Sequence, residues 1–291
     1  MKKIKYILTI LFIILLTGCD LLKRDTMEDI TIITTIYPLE YAIDYLYGDS
    51  SIINSIYPDD TNVDEYTLTE KQIKDNSKKD LFIYLGNSND ANHAVTFREK
   101  NNDLKLINAT FGMEYNSKNN SIEELWLNPS NLLMISQNIK NGLAEYINST
   151  YLIKDIDERY EELKLELSEL DADIKLTIEN ANKDTIFTNH KALKYLEKYG
   201  LTVYVLNQEE DIYEKNLTIL NNYIQNGKVK YFYVLENTEI SNDVQKLIDE
   251  KKILSETFRN LKNINDEERN SGTNYVDITK ENIENLKKEL Y

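Results

Sequence analysis

The sequence predicts an α/β protein of two lobes, each with a parallel sheet and helices, joined by a single long helix. Three observations predict this fold class. Apolar, β-branched runs alternate with helical patterns in the first half of the chain, and the alternation resumes after residue 183. Between the halves, an apolar stripe with 4-3 spacing runs through residues 156–181. The 291 residues suffice for two domains of ordinary size.

The first lobe is expected to contain four strands with helices between them. The strand at 30–37 is β-branched and closes at Pro38, which opens a helix that ends at Gly48. Asn128 and Pro129 form a good helix start, because Asn caps the first turn and proline is tolerated at its first position. The other elements expected here are strands at 51–57, 81–85 and 104–108, and helices at 69–79, 91–100 and 128–146.

The stripe at 156–181 is a short coiled-coil pattern if taken alone. A second apolar set, Leu165, Leu176 and Ile178, widens the stripe, and this favours a helix packed inside the protein over a dimer seam. The chain is therefore expected to be a monomer. The second lobe then contains strands at 185–188, 201–206, 231–235 and 253–257, and helices at 190–199, 216–226, 241–252 and 279–290.

Composition excludes several classes of function. A net charge of −16 disfavours nucleic acid as a partner, and the eight scattered glycines form no nucleotide-binding motif. One cysteine excludes internal disulfides and thiolate zinc clusters. Of the two histidines, His93 has no second nitrogen or sulfur ligand nearby and is interpreted as a helix-start or surface residue. His190 lies near no GxSxG motif, so the protein is not expected to be an enzyme.

The amino terminus has the pattern of an export signal. Three lysines at positions 2, 3 and 5 precede an apolar stretch at 6–16, which is too short to cross a bilayer as a stable helix. The stretch ends in Leu-Thr-Gly-Cys, and Cys19 is the only cysteine of the chain. This pattern resembles the bacterial lipobox, so residues 1–18 are expected to be removed and Cys19 to carry a lipid. The alternative is a plain signal peptide with a chance cysteine.

Six segments follow one another in a specific order: TTIYPL at 34–39, DEYTLT at 64–69, KDLFIYLG at 79–86, LWLNP at 125–129, TNHKA at 188–192 and the carboxyl-terminal stretch 275–290. In order and spacing they resemble the substrate-binding lipoproteins of zinc and manganese ABC transporters. The resemblance implies an N-terminal metal-binding lobe (19–150), a linker backbone helix (151–182) and a C-terminal metal-binding lobe (183–291). It also implies one metal ion in the cleft between the lobes.

The resemblance further implies which residues hold that metal. Family members use three histidines, or two histidines and a carboxylate, with a final Asp or Glu. The first three positions correspond here to Asp64, Glu124 and His190. Zinc accepts carboxylate oxygen as well as imidazole nitrogen, although an oxygen-rich set moves preference towards Mn²⁺ or Fe²⁺. The cargo is therefore expected to be a divalent metal ion of the zinc or manganese class, without an organic cofactor.

The fourth position departs from the family pattern. It aligns with Lys262, whereas a shifted register would offer Asp266 or Glu267. A protonated lysine has no lone pair and cannot bind a metal. Lys262 could instead pair with Asp64 and Glu124, taking the place of the metal's charge.

The expected function is that of an extracytoplasmic solute-binding lipoprotein, anchored at the outer face of the bacterial cell membrane. It would capture a divalent metal between its lobes and deliver it to the permease of an ABC transporter. The alternatives are a binder of another solute and an adhesin-like surface lipoprotein used in cell adhesion, both with a vestigial metal site.

Overall fold

Two four-stranded parallel sheets build the two lobes. The computed structural model describes residues 25–86, 88–113 and 124–291, and the expected signal peptide and Cys19 lie outside them. Within these residues one sheet has the strand order β2 (Ser51–Ser55), β1 (Ile30–Thr34), β3 (Leu81–Tyr84) and β4 (Lys105–Asn108). The other has the order β6 (Thr202–Val205), β5 (Thr185–Thr188), β7 (Tyr231–Leu235) and β8 (Leu254–Phe258). In both sheets the chain therefore starts at an inner strand, adds one neighbour on each side and finishes at an edge. The predicted fold class is confirmed.

The first lobe places its most apolar strand at the centre of its sheet. Ile33 of β1 lies opposite Asn54 of β2 on one side and Phe82 of β3 on the other. Strands covered on both faces read as continuous apolar runs, as β1 and β3 do. The elements are β1 (Ile30–Thr34), α1 (Tyr37–Tyr47), β2 (Ser51–Ser55), α2 (Glu70–Asn76), β3 (Leu81–Tyr84), α3 (Asp90–Lys100), β4 (Lys105–Asn108) and α4 (Pro129–Tyr146).

A single helix of 30 residues, α5 (Thr150–Glu179), follows the first lobe. At 1.5 Å per residue it is about 45 Å long. Its expected stripe is buried, at Ile156, Tyr160, Leu163, Leu167, Leu170 and Ile174. Ile178 is buried as well, but Leu165 and Leu176 are 62% and 54% exposed, so these two residues do not widen the stripe as expected. The buried face packs into an apolar cluster that includes Leu39 of the first lobe and Leu193 of the second.

The second lobe repeats the topology of the first. Its elements are β5 (Thr185–Thr188), a 3₁₀ helix (Lys191–Tyr199), β6 (Thr202–Val205), α6 (Tyr213–Gln225), β7 (Tyr231–Leu235), α7 (Asn242–Lys251), β8 (Leu254–Phe258), α8 (Asp266–Ser271) and α9 (Tyr275–Leu290). The segment expected to be a helix at 190–199 is thus 3₁₀ in type. Helix α9 begins four residues before the expected 279, because the Asn274 side chain accepts hydrogen bonds from the Val276 and Asp277 amides.

Two further differences from the sequence prediction have local reasons. Strand β1 ends at Thr34, and Pro38 lies in the first turn of α1, so the proline belongs to the helix start alone. Helix α8 is absent from the prediction, although Asn265 and Glu268 form a capping box at its start. No helix among the described residues is long and apolar enough to cross a membrane.

Candidate functional site

The four candidate positions lie on loops where the two lobes meet. Asp64 follows β2, His190 lies two residues after β5, and Lys262 follows β8. Glu124 comes after β4 and precedes a 3₁₀ helix at Leu125–Leu127. Each loop leaves the carboxyl end of a parallel strand, which is the edge where open α/β sheets bind their ligands. The topology therefore brings residues from both lobes to one cleft.

Lys262 occupies the centre of this group. Its Nζ lies 2.8 Å from Oδ1 and 2.7 Å from Oδ2 of Asp64, and 3.0 Å from Oε1 of Glu124. The side chain of Lys262 is 12% exposed and that of Glu124 is 2% exposed, whereas Asp64 is 56% exposed. The ammonium of the second lobe is therefore held by two carboxylates of the first lobe, one of them buried.

The charge of Lys262 is maintained by these two carboxylates. Burial by itself lowers the pKa of Lys262, but the charges of Glu124 and Asp64 and their hydrogen bonds outweigh it and raise the pKa above 10.5. Lys262 is consequently a full ammonium at neutral pH, with three N–H donors and no lone pair. The position that aligns with a fourth metal ligand thus supplies a positive charge to the cleft.

Glu124 is held in place by its loop. Its φ angle is 63°, in the left-handed region that residues with a Cβ rarely adopt. Two residues further on, Trp126 Nε1 donates to Asn260 O at 2.7 Å, and the Tyr275 hydroxyl donates to Trp126 O at 2.6 Å. Trp126, which is 2% exposed, therefore fixes the Glu124 loop against the second lobe.

His190 stands beside Glu124 at the first turn of the 3₁₀ helix. Its Nδ1 accepts a hydrogen bond from the Ala192 amide at 3.2 Å, so in the neutral ring the proton is on Nε2. The same Nδ1 lies 3.8 Å from Glu124 Oε2. His190 therefore lies next to the carboxylate that also contacts Lys262.

The alternative candidates for the fourth position lie on helix α8, beyond the loop that carries Lys262. Asp266 and Glu267 are exposed in the first turn of α8, where the Asp266 amide donates to Asp60 Oδ2 at 3.3 Å. Lys262 is the candidate that contacts Asp64 and Glu124. Among the residues with described positions, no three His, Cys, Asp or Glu side chains are grouped as a ready metal site.

A second cation links the lobes and was not found from the sequence. Arg269 of α8 bonds to both Glu40 and Asp59 of the first lobe, with its NH2 3.3 Å from Glu40 Oε2 and 2.8 Å from Asp59 Oδ1. We refer to these three residues as the Arg269 bridge. Separations of 229 and 210 residues leave no local pattern that could reveal it.

A cavity of about 840 Å³ opens beside Lys262 within the first lobe. His93 lies in its wall, half-buried, with Nε2 3.2 Å from the Tyr57 hydroxyl. Burial lowers the pKa of His93 although the nearby Asp90 carboxylate opposes the shift. Burial raises the pKa of Asp90 in turn, despite hydrogen bonds from Thr35 and the Leu85 amide. Other lining residues are Asp64, Tyr66, Trp126 and Lys262.

Two sheet-bearing lobes on one long helix, with candidate ligands at the facing strand ends, define the class of metal-specific solute-binding proteins of ABC transporters. The chain belongs to the ZnuA family, described as zinc-uptake complex component A, periplasmic, whose model matches residues 32–289. The family resemblance is thereby confirmed, and the family is one of transport proteins.

Known proteins similar to this chain agree with that assignment. The high-affinity zinc uptake system protein ZnuA of Bacillus subtilis is 25% identical over 292 aligned residues, covering 90% of this chain and 88% of that protein. The metal-dependent lipoprotein YcdH of B. subtilis is 22% identical with a TM-score of 0.74, covering 90% and 99% of the two chains. The laminin-binding protein Lbp of Streptococcus pyogenes is 15% identical with a TM-score of 0.73, covering 91% and 100%. The two structures support the fold.

Proposed function

We propose that this chain is the extracytoplasmic substrate-binding component of an ABC transporter and that its cargo is a divalent metal ion. One observation carries the proposal: Asp64 and Glu124 both contact one cation at the lobe boundary, the Lys262 ammonium, and His190 Nδ1 lies 3.8 Å from Glu124 Oε2. A buried carboxylate, Glu124, with a second carboxylate directed at the same point is costly unless a positive charge lies there. Membership of a zinc-uptake family supports a metal as that charge.

The three ligands would favour a divalent metal ion through their total charge and through the type of their donor atoms. Two carboxylates and a neutral imidazole balance the charge of a divalent ion. Metal binding at His190 Nδ1 would replace the hydrogen bond from the Ala192 amide, so the imidazole needs no loss of a proton. Carboxylate oxygen suits Mn²⁺, and Zn²⁺ also accepts it. Both metals are therefore proposed as cargo, with the ligands Asp64, Glu124 and His190.

Calorimetric titration of the purified protein with Zn²⁺, Mn²⁺ and Fe²⁺ tests the metal proposal. We expect binding tighter than micromolar, and a loss of about tenfold or more in His190→Ala and in Glu124→Gln. Glu256→Gln is the matched control, because Glu256 pairs with Lys288 at 2.8 Å on the second lobe alone. Binding no tighter than micromolar, with no change in His190→Ala, would reject the proposal.

Export and anchoring form a separate part of the proposal. Residues 1–18 would direct secretion, a lipid on Cys19 would hold the protein at the outer face of the cell membrane, and the permease would receive the metal there. The basic residues, the short apolar stretch and the single cysteine support it. Cys19→Ser is expected to move the protein from the membrane fraction to the soluble exported fraction. An unchanged distribution would favour a plain signal peptide or another means of attachment.

A second candidate function keeps the fold without the metal. The observation that favours it is the ion pairing of Lys262, which already neutralises part of the cleft's negative charge. The chain would then be an adhesin-like surface lipoprotein or bind another solute. Metal analysis of the protein together with binding to immobilised laminin separates the two functions: metal-free protein that binds laminin supports the second candidate.

A further inference from the structure

We infer that Lys262 is a tethered cation that competes with the cargo metal for Asp64 and Glu124, so that the metal loads only when the ammonium leaves. The inference rests on the proposed function and adds Lys262 as the residue that sets the affinity for the metal. In the metal-free protein Lys262 takes the place of the metal and links the two lobes.

The competition follows from the atoms that are shared. The oxygens that accept from Lys262 Nζ belong to both carboxylates proposed as metal ligands. A divalent ion within bonding distance of these oxygens would lie a few ångströms from a full positive charge, and that repulsion is strong away from bulk water. Asp64, Glu124 and Lys262 together carry a charge of −1, whereas the two carboxylates without lysine carry −2. The ion is therefore favoured by the departure of the ammonium.

The backbone of Lys262 cannot take part in that departure without breaking the lobe contact. Its carbonyl oxygen accepts from the Tyr37 amide at 3.0 Å, and its own amide donates to Asn260 Oδ1 at 2.9 Å. Leu261, the residue between, has a φ angle of 57°, which further fixes the turn. The movement is consequently assigned to the lysine side chain alone.

The adjoining cavity provides a place for the displaced ammonium. Lys262 itself lines this space of about 840 Å³, together with Asp64 and Asp90. The cavity also presents the rings of Tyr57 and Tyr66, and aromatic faces attract an ammonium group. A lysine that rotates away from Asp64 and Glu124 therefore remains near the Asp90 side chain and two tyrosine rings, which makes the exchange less costly.

The expected size of the effect follows from the population of the open arrangement. The apparent dissociation constant equals the intrinsic constant divided by the fraction of protein in which the site is free. A minor arrangement populated at roughly 0.1–10% would weaken metal binding by about 10- to 1000-fold. Removing the ammonium should strengthen metal binding by the same factor.

Titration of full-length Lys262→Met with Zn²⁺ alone and Mn²⁺ alone tests the inference. We expect metal affinity at least about tenfold higher than in the natural protein. In EDTA this variant should melt at a lower temperature than the natural protein, and metal should raise its melting temperature by the larger amount. Lys198→Met is the matched control, because Lys198 Nζ also contacts three acceptors, at 2.9, 2.9 and 2.8 Å, none of which is a proposed metal ligand.

The outcomes separate the inference from the proposed function. Equal metal affinity in Lys262→Met and the natural protein overturns the competition while leaving metal capture intact. Absence of binding in both proteins overturns both. Should Lys262→Met fold poorly, the double variant Lys262→Met with Glu124→Gln removes the buried charge as well. That variant should regain stability in EDTA without gaining metal affinity, and failure to regain it would contradict the assigned role of Lys262.

Discussion

Replacement of Arg269 by methionine should destabilise the protein by removing one ion-pair bridge between the lobes. In the Arg269 bridge, one guanidinium of the second lobe contacts two carboxylates of the first. Methionine keeps most of the aliphatic stem and removes the charge. The carboxylates of Glu40 and Asp59 would then lack the cation between them, while the fold of each lobe is left as it was.

The magnitude can be bracketed from the exposure of the three side chains. Glu40 and Asp59 are 12% and 15% exposed, whereas Arg269 is 39% exposed. Exposed ion pairs contribute about 0–1 kcal/mol, and loss of one partner from a buried pair costs about 3–5 kcal/mol. Two largely buried carboxylates with a partly solvated guanidinium fall between these limits, so we expect a loss of about 2–3 kcal/mol.

Urea unfolding followed by circular dichroism measures this loss. The triple variant Arg269→Met, Glu40→Gln, Asp59→Asn should recover part of the stability, because it leaves no uncompensated carboxylate. Lys154→Met is the control and should cost little stability, because Lys154 and its partner Glu158 are 75% and 63% exposed. A stability of Arg269→Met within about 0.5 kcal/mol of the natural protein would refute the reasoning.

Three further variants test other parts of the structure. Gly142→Ala should lose about 1–3 kcal/mol by urea unfolding, because a Cβ there would lie 2.8 Å from Ile107 of β4; equal or higher stability would contradict this packing. Leu167→Ala on α5, at a side chain only 1% exposed, should lose about 2–5 kcal/mol, whereas Leu165→Ala at an exposed position should lose little. The pKa of His93 is lowered in the folded protein. Its contribution to folding stability is therefore complete above the unfolded pKa of about 6.5 and is lost as pH falls below that value. His93→Gln should therefore lose less stability than the natural protein between about pH 7.5 and 5.5, and an equal loss would exclude His93 as a source of that pH dependence.

The fold was accessible from the sequence because its signals are local. Alternating strands and helices and the stripe on α5 arise from residues a few positions apart. Leu165 and Leu176 were wrongly predicted to be buried, because periodicity alone does not show how wide a face of α5 is covered by the packed elements. Pro38 is compatible with the end of a strand and with the start of a helix. The sequence prediction assigned it both roles, whereas in the structure it lies only in the first turn of α1.

The site required contacts that no local pattern encodes. Asp64 and Lys262 are 198 residues apart in sequence, and their meeting depends on both lobes facing one cleft. The family resemblance indicated which positions to compare, and pairing of Lys262 with Asp64 and Glu124 was one alternative for the fourth position. Only the distances between these side chains distinguish that alternative from a shifted register. No sequence motif corresponds to the Arg269 bridge, which depends on the contact between the two lobes.

The fixed backbone of Lys262 has a kinetic consequence for the metal proposed above as cargo. A group tethered beside its binding site acts at an effective concentration in the millimolar range or above. Such a competitor is not diluted, dialysed away or removed by a chelator, and its amount is independent of the medium. Whenever a metal–oxygen bond opens at Asp64 or Glu124, the ammonium can return before a second ion arrives. Metal dissociation from this protein is therefore expected to be fast, with a rate that depends on one side chain of the protein itself.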